Sequence, residues 1–240
     1  MPLFAIIVCM NKIDFSKKKA ANLPPDRKRL FVDRKSGAKE RVEIVKWAAN
    51  NGYDALVFPL GEKLTEKTEY IKLAKRYELI IEAGGCDLSL LLPKRLFLFH
   101  RELFRMEQGK RKPAPHFCAT NPETISIIFE NAQNLFARYL PVVTAPRIYH
   151  LLPDKGKENI WCACPACRAF SHVEQYIIAV NSAADALAEI DPDAWLSFMD
   201  FGSRDIVQSH CVGVMPRGNM FGIQNPAQPN KDVHTIVFSS

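Results

Sequence analysis

The stretch that decides the fold is residues 147–200, RIYHLLPDKGKENIWCACPACRAFSHVEQYIIAVNSAADALAEIDPDAWLSFMD. A short apolar strand pattern at 147–151 is followed by a polar loop with three cysteines, then by an amphipathic helix pattern, then by a second apolar strand at 195–199. Two buried strands joined by a helix are typical of a parallel β–α–β unit. The polar loop therefore follows the carboxyl end of a strand, which is where α/β folds place their chemistry.

The same alternation of strand and helix patterns occurs upstream of this stretch. The predicted strands are 30–32, 55–58 and 79–83, and the predicted helices are 38–51, 65–77 and one opened by 120–123. Strands without polar alternation are buried on both faces, as in parallel sheets covered by helices. The pattern predicts an α/β fold with about five β/α units, either a partial (β/α) TIM-type barrel or an open doubly wound sheet. No Gly-x-Gly-x-x-Gly follows the first strand, so the dinucleotide-binding form loses support.

Three segments follow from this pattern: an N-terminal lead-in at 1–28, the partial barrel at 29–201 and an irregular tail at 202–240. A complete eight-stranded barrel takes about 250 residues, whereas this chain has a similar length and only about five predicted β/α units. An incomplete barrel leaves an exposed edge on its parallel sheet. We expect that edge to be covered by the tail, to pair in a homodimer, or to make the protein poorly soluble.

Composition and charge narrow the classes of function. With 48% hydrophobic residues and a net charge of +6, the chain is typical of ordinary globular proteins. The apolar run Leu3–Met10 is too short to span a bilayer and lacks the features of a secretory leader, so we expect a cytoplasmic protein without a membrane partner. The basic runs are not interleaved with stacking aromatic residues, so nucleic-acid binding is not predicted. Seven cysteines without an export signal indicate thiols or metal ligands, not disulfides.

The three cysteines of the loop are Cys162, Cys164 and Cys167. Three thiols within six residues can reach one ion, and thiolates suit zinc, so we predict a structural zinc site. A closed site needs a fourth ligand, and His172 is the nearest candidate in the sequence. The other candidates, which the fold would have to bring close, are Cys86, Cys118 and His150. The alternative is three reduced thiols on a well-packed turn.

Four segments carry a resemblance to a known family. They are HRELFRMEQGKR at 100–111, CATNPE at 118–123, YHLLPDKG at 149–156 and WCACPACR at 161–168. In this order they resemble a bacterial family of unknown function with a glycoside-hydrolase-like, α-glucuronidase-like TIM barrel. The likeness covers roughly residues 29–201. It implies a barrel that handles carbohydrate, including uronate-bearing glycans.

The chain departs from that family's pattern in three places. Lys155 stands where a second acidic residue is expected after Asp154, and Cys86 stands where a histidine usually follows the double glycine of the third strand. The resemblance also stops after the fifth strand, and a truncated or frameshifted reading frame would explain the tail.

Glycoside hydrolysis commonly uses two carboxylates that flank the scissile bond. Asp154, after the fourth predicted strand, is our candidate proton donor, although Pro-Asp-Lys-Gly is also a good turn and Lys155 would favour the ionised carboxylate. Asp200, after the fifth strand, is the candidate partner, with a helix cap or surface acid as the alternative. Glu82, in an otherwise apolar strand, is the third candidate, with an edge-facing glutamate as the alternative.

Four further residues are candidate substrate ligands. Arg34 follows the first strand and is suited to binding a carboxylate, while His100 and Glu102 could bind sugar hydroxyls and His150 ends the fourth strand. A surface arginine and a salt bridge in the loop are the alternatives. The leading hypothesis is therefore a glycosidase acting on carbohydrate. The alternatives are a non-catalytic remnant or carbohydrate-binding barrel, and a metal-dependent sugar-processing barrel.

Overall fold

The structure is a computed structural model that describes residues 27–85, 88–113, 115–154, 157, 160–199 and 219–223. In chain order its strands and helices are β1 (Arg29–Phe31), α1 (Ala38–Asn50), β2 (Ala55–Phe58), α2 (Glu69–Arg76), β3 (Ile80–Gly85), β4 (Met106–Glu107), β5 (Lys110–Arg111), α3 (Pro122–Ala137), β6 (Ile148–Leu151), α4 (His172–Ile190), β7 (Trp195–Met199) and β8 (Met220–Ile223).

Six of these strands form one parallel sheet in the order β1-β2-β3-β6-β7-β8. Helices follow β1, β2, β3 and β6, so the predicted α/β alternation and parallel pairing are confirmed. Within the described residues β1 and β8 are the two ends of the sheet, so the barrel is not closed there. The described helices include none long and apolar enough to cross a membrane.

The strand β8 lies inside the segment that the sequence pattern predicted to be an irregular tail. Met220 pairs with Leu196 and Ile223 with Met199, in parallel register along β7. The prediction of an irregular segment is therefore wrong for these four residues, since the backbone groups of β7 find partners there. Of the expected ways to satisfy that edge, pairing with the tail is the one observed; the rest of the lead-in and the tail lies outside the described residues.

The two faces of the sheet have different compositions because side chains alternate along each strand. One cross-strand row is apolar and joins the main hydrophobic core: Leu30, Leu56 and Ile81. The residues one position further along the same strands are Phe31, Val57 and Glu82, and they face the opposite side. The helices cover the first face, with α3 packed against α4.

Side-chain caps set where the last two helices begin. Asn121 precedes α3, and its Oδ1 accepts hydrogen bonds from the amides of Glu123 and Thr124. Ser171 and Glu174 form a reciprocal capping box at the start of α4. These caps begin both helices immediately after the loops at the carboxyl ends of β3 and β6, so the helices anchor those loops.

Tyr176, in the first turns of α4, connects the ends of two strands. Its hydroxyl donates to the carbonyl of Leu151 at 2.6 Å and accepts from the amide of Met199 at 2.8 Å. The tyrosine is fully buried. It therefore holds the carboxyl ends of β6 and β7 together.

The connection between β3 and α3 is long and covers the carboxyl end of the sheet. It contains three short 3-10 helices, at Leu88–Leu91, Lys94–Leu98 and Arg101–Leu103, and then the β4–β5 hairpin. Its backbone reaches the β6 side, because the amide of Leu88 donates to the carbonyl of Leu152 at 3.2 Å.

Gly84 in β3 allows the backbone of β6 to approach unusually closely. A Cβ atom at this position would lie 2.0 Å from the carbonyl oxygen of His150 and 2.5 Å from its nitrogen. The backbone φ of +133° is also one that other residues rarely adopt. Only glycine fits at this point in the sheet.

We therefore expect Gly84→Ala to lower the free energy of unfolding by about 3 kcal/mol or more, because backbone atoms of a central strand would have to move. Urea denaturation followed by circular dichroism measures the change. Gly37→Ala is the matched control, since a Cβ there meets nothing within 4 Å, and its expected cost is about 1 kcal/mol or less. Equal stability of the two variants would contradict the close approach.

Candidate functional site

Four buried cysteines meet between the two long loops at the carboxyl end of the sheet. Cys162, Cys164 and Cys167 come from the loop after β6, and Cys118 comes from the end of the β3–α3 connection. Their sulfur atoms all lie within 4.8 Å of one another, and Cys118 Sγ is 3.7 Å from both Cys164 Sγ and Cys167 Sγ. The four thiols form a compact cluster, which we call the cysteine cluster.

Hydrogen-bond donors surround the sulfur atoms. The amide of Met106 donates to Cys162 Sγ at 3.2 Å, and the Arg111 guanidinium lies 3.7 Å from the same sulfur. The Thr120 hydroxyl lies 3.1 Å from Cys167 Sγ. All three groups come from the β3–α3 connection, so each joins that connection to the loop after β6.

The pKa values of the thiols in the cysteine cluster are shifted in opposite directions. The pKa of the Cys118 thiol is held far below its usual range, first by hydrogen bonds from Cys162 and Cys167, which outweigh the effect of burial. The pKa values of Cys162 and Cys167 are raised, in both cases first because the thiol shares its proton with Cys118. Negative charge on sulfur is thus stabilised within the cluster.

Gln175, on α4, orders the backbone of the three-cysteine loop. Its Oε1 accepts from the amide of Cys162 at 3.1 Å, and its Nε2 donates to the carbonyls of Cys162 and Cys167 at 3.1 and 3.2 Å. The side chain is buried. Sequence reasoning did not find this residue, because a glutamine on a helical face carries no signal of such a role.

The other residues considered as a fourth ligand lie elsewhere. His172 is the first residue of α4 and is exposed, and it does not belong to the group of four sulfur atoms. His150 lies within the sheet, where it contacts Glu82. Cys86 is outside the described residues. The geometry therefore brings Cys118, and not His172, to the three cysteines of the loop.

Asp154 follows β6 and lies beside a stacked pair of rings. The hydroxyl of Ser89 donates to its Oδ1 at 2.8 Å, and His116 Nδ1 is 3.9 Å from its Oδ2. The His116 ring stacks on Trp161 with a centroid distance of 4.3 Å and an angle of 4° between the planes. The side chain as a whole is 22% exposed, whereas its Oδ2 is buried.

Glu82 is fully buried on the second face of the sheet and is bound by one cation of β1 and by another just before that strand. Arg29 Nε donates to its Oε2 at 2.7 Å, and Arg27 donates to its Oε1 at 3.1 Å. His150 Nε2 also lies 2.8 Å from Oε2, and His150 Nδ1 is 2.6 Å from the hydroxyl of Ser197. The carboxylate therefore connects β1, β3, β6 and β7.

Opposing effects set the protonation states of this network. Burial would raise the pKa of the Glu82 carboxyl, but the hydrogen bond from His150 and the charge of Arg29 outweigh it and lower the pKa to about 2. Burial lowers the pKa of the His150 imidazole, and the contact with Glu82 offsets this only in part. At neutral pH the carboxylate is thus ionised, and His150 Nε2 donates a hydrogen bond to it.

The contacts Ser197–His150–Glu82 follow the order of a serine-hydrolase triad, but the geometry argues against that chemistry. All three side chains are buried at 0% exposure, so a substrate has no access to the hydroxyl. The imidazole also presents its Nδ1 to the serine, whereas the triad uses Nε2. The contacts join β3, β6 and β7.

The remaining candidate ligands lie near the surface of the same end of the sheet. Arg34, just after β1, is exposed, and its guanidinium donates to the carbonyl of Leu60 at 2.7 Å. His100 Nδ1 is 3.5 Å from Glu102 Oε1, and the two side chains are about half exposed. Asp200 and Lys155 lie outside the described residues.

A surface hollow lies at the opposite end of the sheet. It has a volume of about 260 Å³ and adjoins the amino end of β3. Its lining residues are Lys75, Glu78, Leu79, Ile80, Val142, Val143 and Thr144. Barrel enzymes act at the carboxyl ends of their strands, so this hollow is not the candidate site.

Comparison with known proteins supports the fold. No family model matches the chain, and no curated protein matches it. A GH20 catalytic module of the pneumococcal exo-β-D-N-acetylglucosaminidase StrH matches with a TM-score of 0.53 at 12% identity, over 80% of this chain and 57% of that one. The GH20 β-N-acetylhexosaminidase of Streptomyces coelicolor A3(2) has a TM-score of 0.46 at 12% identity, over 81% and 41%. The GH36 α-galactosidase AgaA of Geobacillus stearothermophilus has 0.46 at 10%, over 72% and 27%.

The StrH module shares the α/β fold of this chain. The identities are low, so the likeness concerns the fold alone, and it is the StrH module that carries it. The chain spans between about a quarter and just over half the length of these structures.

The Glu82 network predicts a specific pH dependence of stability. The folded pKa of about 2 lies below the ordinary value of 4.5, so between these values the unfolded chain binds a proton that the folded chain does not. The contribution of Glu82 is therefore complete above pH 4.5 and is lost as the pH falls towards 2. We expect Glu82→Gln to be less stable by about 3 kcal/mol at pH 7, because two guanidinium groups then face a neutral amide.

The test is chemical denaturation of both proteins between pH 3 and pH 7. The difference in unfolding free energy should shrink as the pH falls below 4.5, and a difference that is constant with pH would refute the ionised state of Glu82. Glu43→Gln is the control, since Glu43 is 70% exposed beside Lys46, and its cost should stay below about 1 kcal/mol.

Proposed function

We propose that this chain acts on carbohydrate through the loops at the carboxyl ends of its strands, with Asp154 as the proton donor of a glycosidase. The observation that carries the proposal is the position of Asp154, a partly exposed carboxyl group beside the carboxyl end of β6 in a glycosidase-like fold. The StrH module of the same fold is a catalytic module of an exo-β-D-N-acetylglucosaminidase.

The contacts of Asp154 suit a group that donates a proton to a leaving oxygen. Ser89 fixes Oδ1, and Oδ2 accepts no hydrogen bond from the described residues while lying 3.9 Å from His116. One oxygen is therefore positioned, and the other is a buried acceptor that the described residues leave without a hydrogen bond. The stacked rings of His116 and Trp161 supply an apolar wall beside it.

Hydrolysis needs a second carboxylate, and we assign that part to Asp200, which follows β7 in the sequence. The strands β6 and β7 are neighbours, so groups at their carboxyl ends belong to the same end of the sheet. Glu82 does not suit this part, because it is buried and held by Arg27 and Arg29.

A uronate-bearing glycan is the substrate class that we propose within carbohydrates. Arg34 is an exposed cation after β1, at the same end of the sheet as Asp154. A guanidinium can bind a sugar carboxylate through two parallel hydrogen bonds. His100 and Glu102 are further polar groups of that end.

Glu82 is buried and paired with Arg27 and Arg29, and this favours a second candidate function. That function is carbohydrate binding without hydrolysis. Hydrolysis needs two carboxyl groups that reach the substrate. Because Glu82 is bound to His150 and Arg29, it is not available as one of them. A binding protein would still use Arg34, Asp154 and the loops around them.

The experiment is hydrolysis of a panel of aryl glycosides and aryl glucuronides by the purified chain and by Asp154→Asn. Loss of the general acid should lower the rate roughly 100-fold or more. Asp193→Asn is the matched control, because Asp193 is exposed in the turn before β7, at the amino end of the strands, and it should keep full activity.

Calorimetric titration with oligosaccharides separates the two candidates. Binding without turnover supports the second function, and turnover that survives Asp154→Asn would remove Asp154 from the mechanism. Neither binding nor turnover across neutral and uronate-bearing glycans would contradict both.

A further inference from the structure

We propose that Cys118, Cys162, Cys164 and Cys167 bind one zinc ion as a closed four-thiolate site, and that this ion joins the β3–α3 connection to the loop after β6. The inference concerns the architecture of the protein and does not depend on the proposed action on carbohydrate.

The spacing of the sulfur atoms fits a tetrahedral ion. Zinc–sulfur bonds of about 2.3 Å arranged as a tetrahedron separate neighbouring sulfur atoms by about 3.8 Å. The distances from Cys118 Sγ to Cys164 Sγ and to Cys167 Sγ are both 3.7 Å, and no two of the four sulfur atoms are more than 4.8 Å apart. A disulfide would need a separation of about 2.05 Å, so the cluster is not arranged as disulfide pairs.

The surroundings of the cluster suit a site with net negative charge. Four thiolates around a dication leave two negative charges, which need nearby donors and a cation. The amide of Met106 and the hydroxyl of Thr120 lie at 3.2 and 3.1 Å from sulfur atoms, and the Arg111 guanidinium lies at 3.7 Å. Gln175 binds the backbone of the loop, through hydrogen bonds with the amide and the carbonyl of Cys162.

The number and type of ligands indicate a structural ion. All four positions of a tetrahedron are taken by cysteines, so the ion has no open position for water or substrate. All four residues are buried. A tetrahedral set of four sulfur ligands is the preference of zinc, with iron as the competing ion.

The position of the site indicates that the ion would join two segments of the chain that lie beside the stacked rings of His116 and Trp161. Cys118 follows His116 by two residues, and Cys162 follows Trp161 directly, so the ligands flank the stacked ring pair. The same segments are joined by the hydrogen bond from the amide of Ala163 to the carbonyl of Met106 at 2.8 Å. The ion would thus fix the loop that carries Asp154 to the connection that carries His116.

The first test is the metal content of the full chain, purified in the presence of a thiol reductant and without chelators. We expect about one zinc per chain, with X-ray absorption showing four sulfur neighbours at about 2.3 Å. Iron in place of zinc, a nitrogen neighbour, or a reduced protein free of metal would each overturn the proposal.

Variants identify the fourth ligand. Cys118→Ser should lower the zinc retained after dialysis against a chelator at least about tenfold, because second-shell or ligand changes typically cost 10–100-fold in metal affinity. His172→Ala is the matched control, since His172 is exposed and outside the cluster, and it should retain the metal. Loss of zinc in His172→Ala with retention in Cys118→Ser would overturn the assignment.

A measurement on the unmodified chain covers the case in which the cysteine variants do not fold. Alkylation of the native protein, mapped by peptide mass spectrometry, should be slow at the four cysteines and become at least about tenfold faster after chelation. Rates at these cysteines that chelator does not change, or masses that reveal disulfides between them, would overturn the proposal.

Discussion

A buried carboxylate on the second face of the sheet is the interaction on which the arrangement of the strands depends. Glu82 on β3 binds Arg29 on β1 and His150 on β6, and His150 in turn binds Ser197 on β7. A shift of any of these strands by one residue would turn its polar side chain towards the helices. A change of register would separate the partners and leave a charge buried without a counter-charge, which would lower the free energy of unfolding. It thereby sets which residues stand at the carboxyl end, where Asp154 lies.

Much of the fold could be predicted from the sequence, because apolar runs and helical periodicity are local signals. The strands at 55–58 and 195–199 and the helices around them are examples, and the parallel α/β arrangement is confirmed. The strand β8 was missed because Met220–Ile223 is a four-residue run containing a glycine in a polar segment, and its strand state depends on pairing with β7. Pairing partners of this kind are not encoded in a local pattern.

The candidate site was predictable only in part, for the same reason. Cys162, Cys164 and Cys167 are close in the sequence, so their grouping was visible, whereas Cys118 joins them through the tertiary fold alone. Proximity in the sequence favoured His172, but the first turn of α4 leaves that side chain exposed. Likewise, Glu82 and His150 were considered separately as a carboxylate and a sugar ligand, since β3 and β6 become neighbours only after the long β3–α3 connection has been crossed.

The hydroxyl of Tyr176 couples the ends of β6 and β7 through one atom. It donates to Leu151 and accepts from Met199, which are the last residues of β6 and β7. An opening that exposes the amide of Met199 to solvent must also release the carbonyl of Leu151. Hydrogen–deuterium exchange at that one amide therefore reports on the opening of both strand ends together.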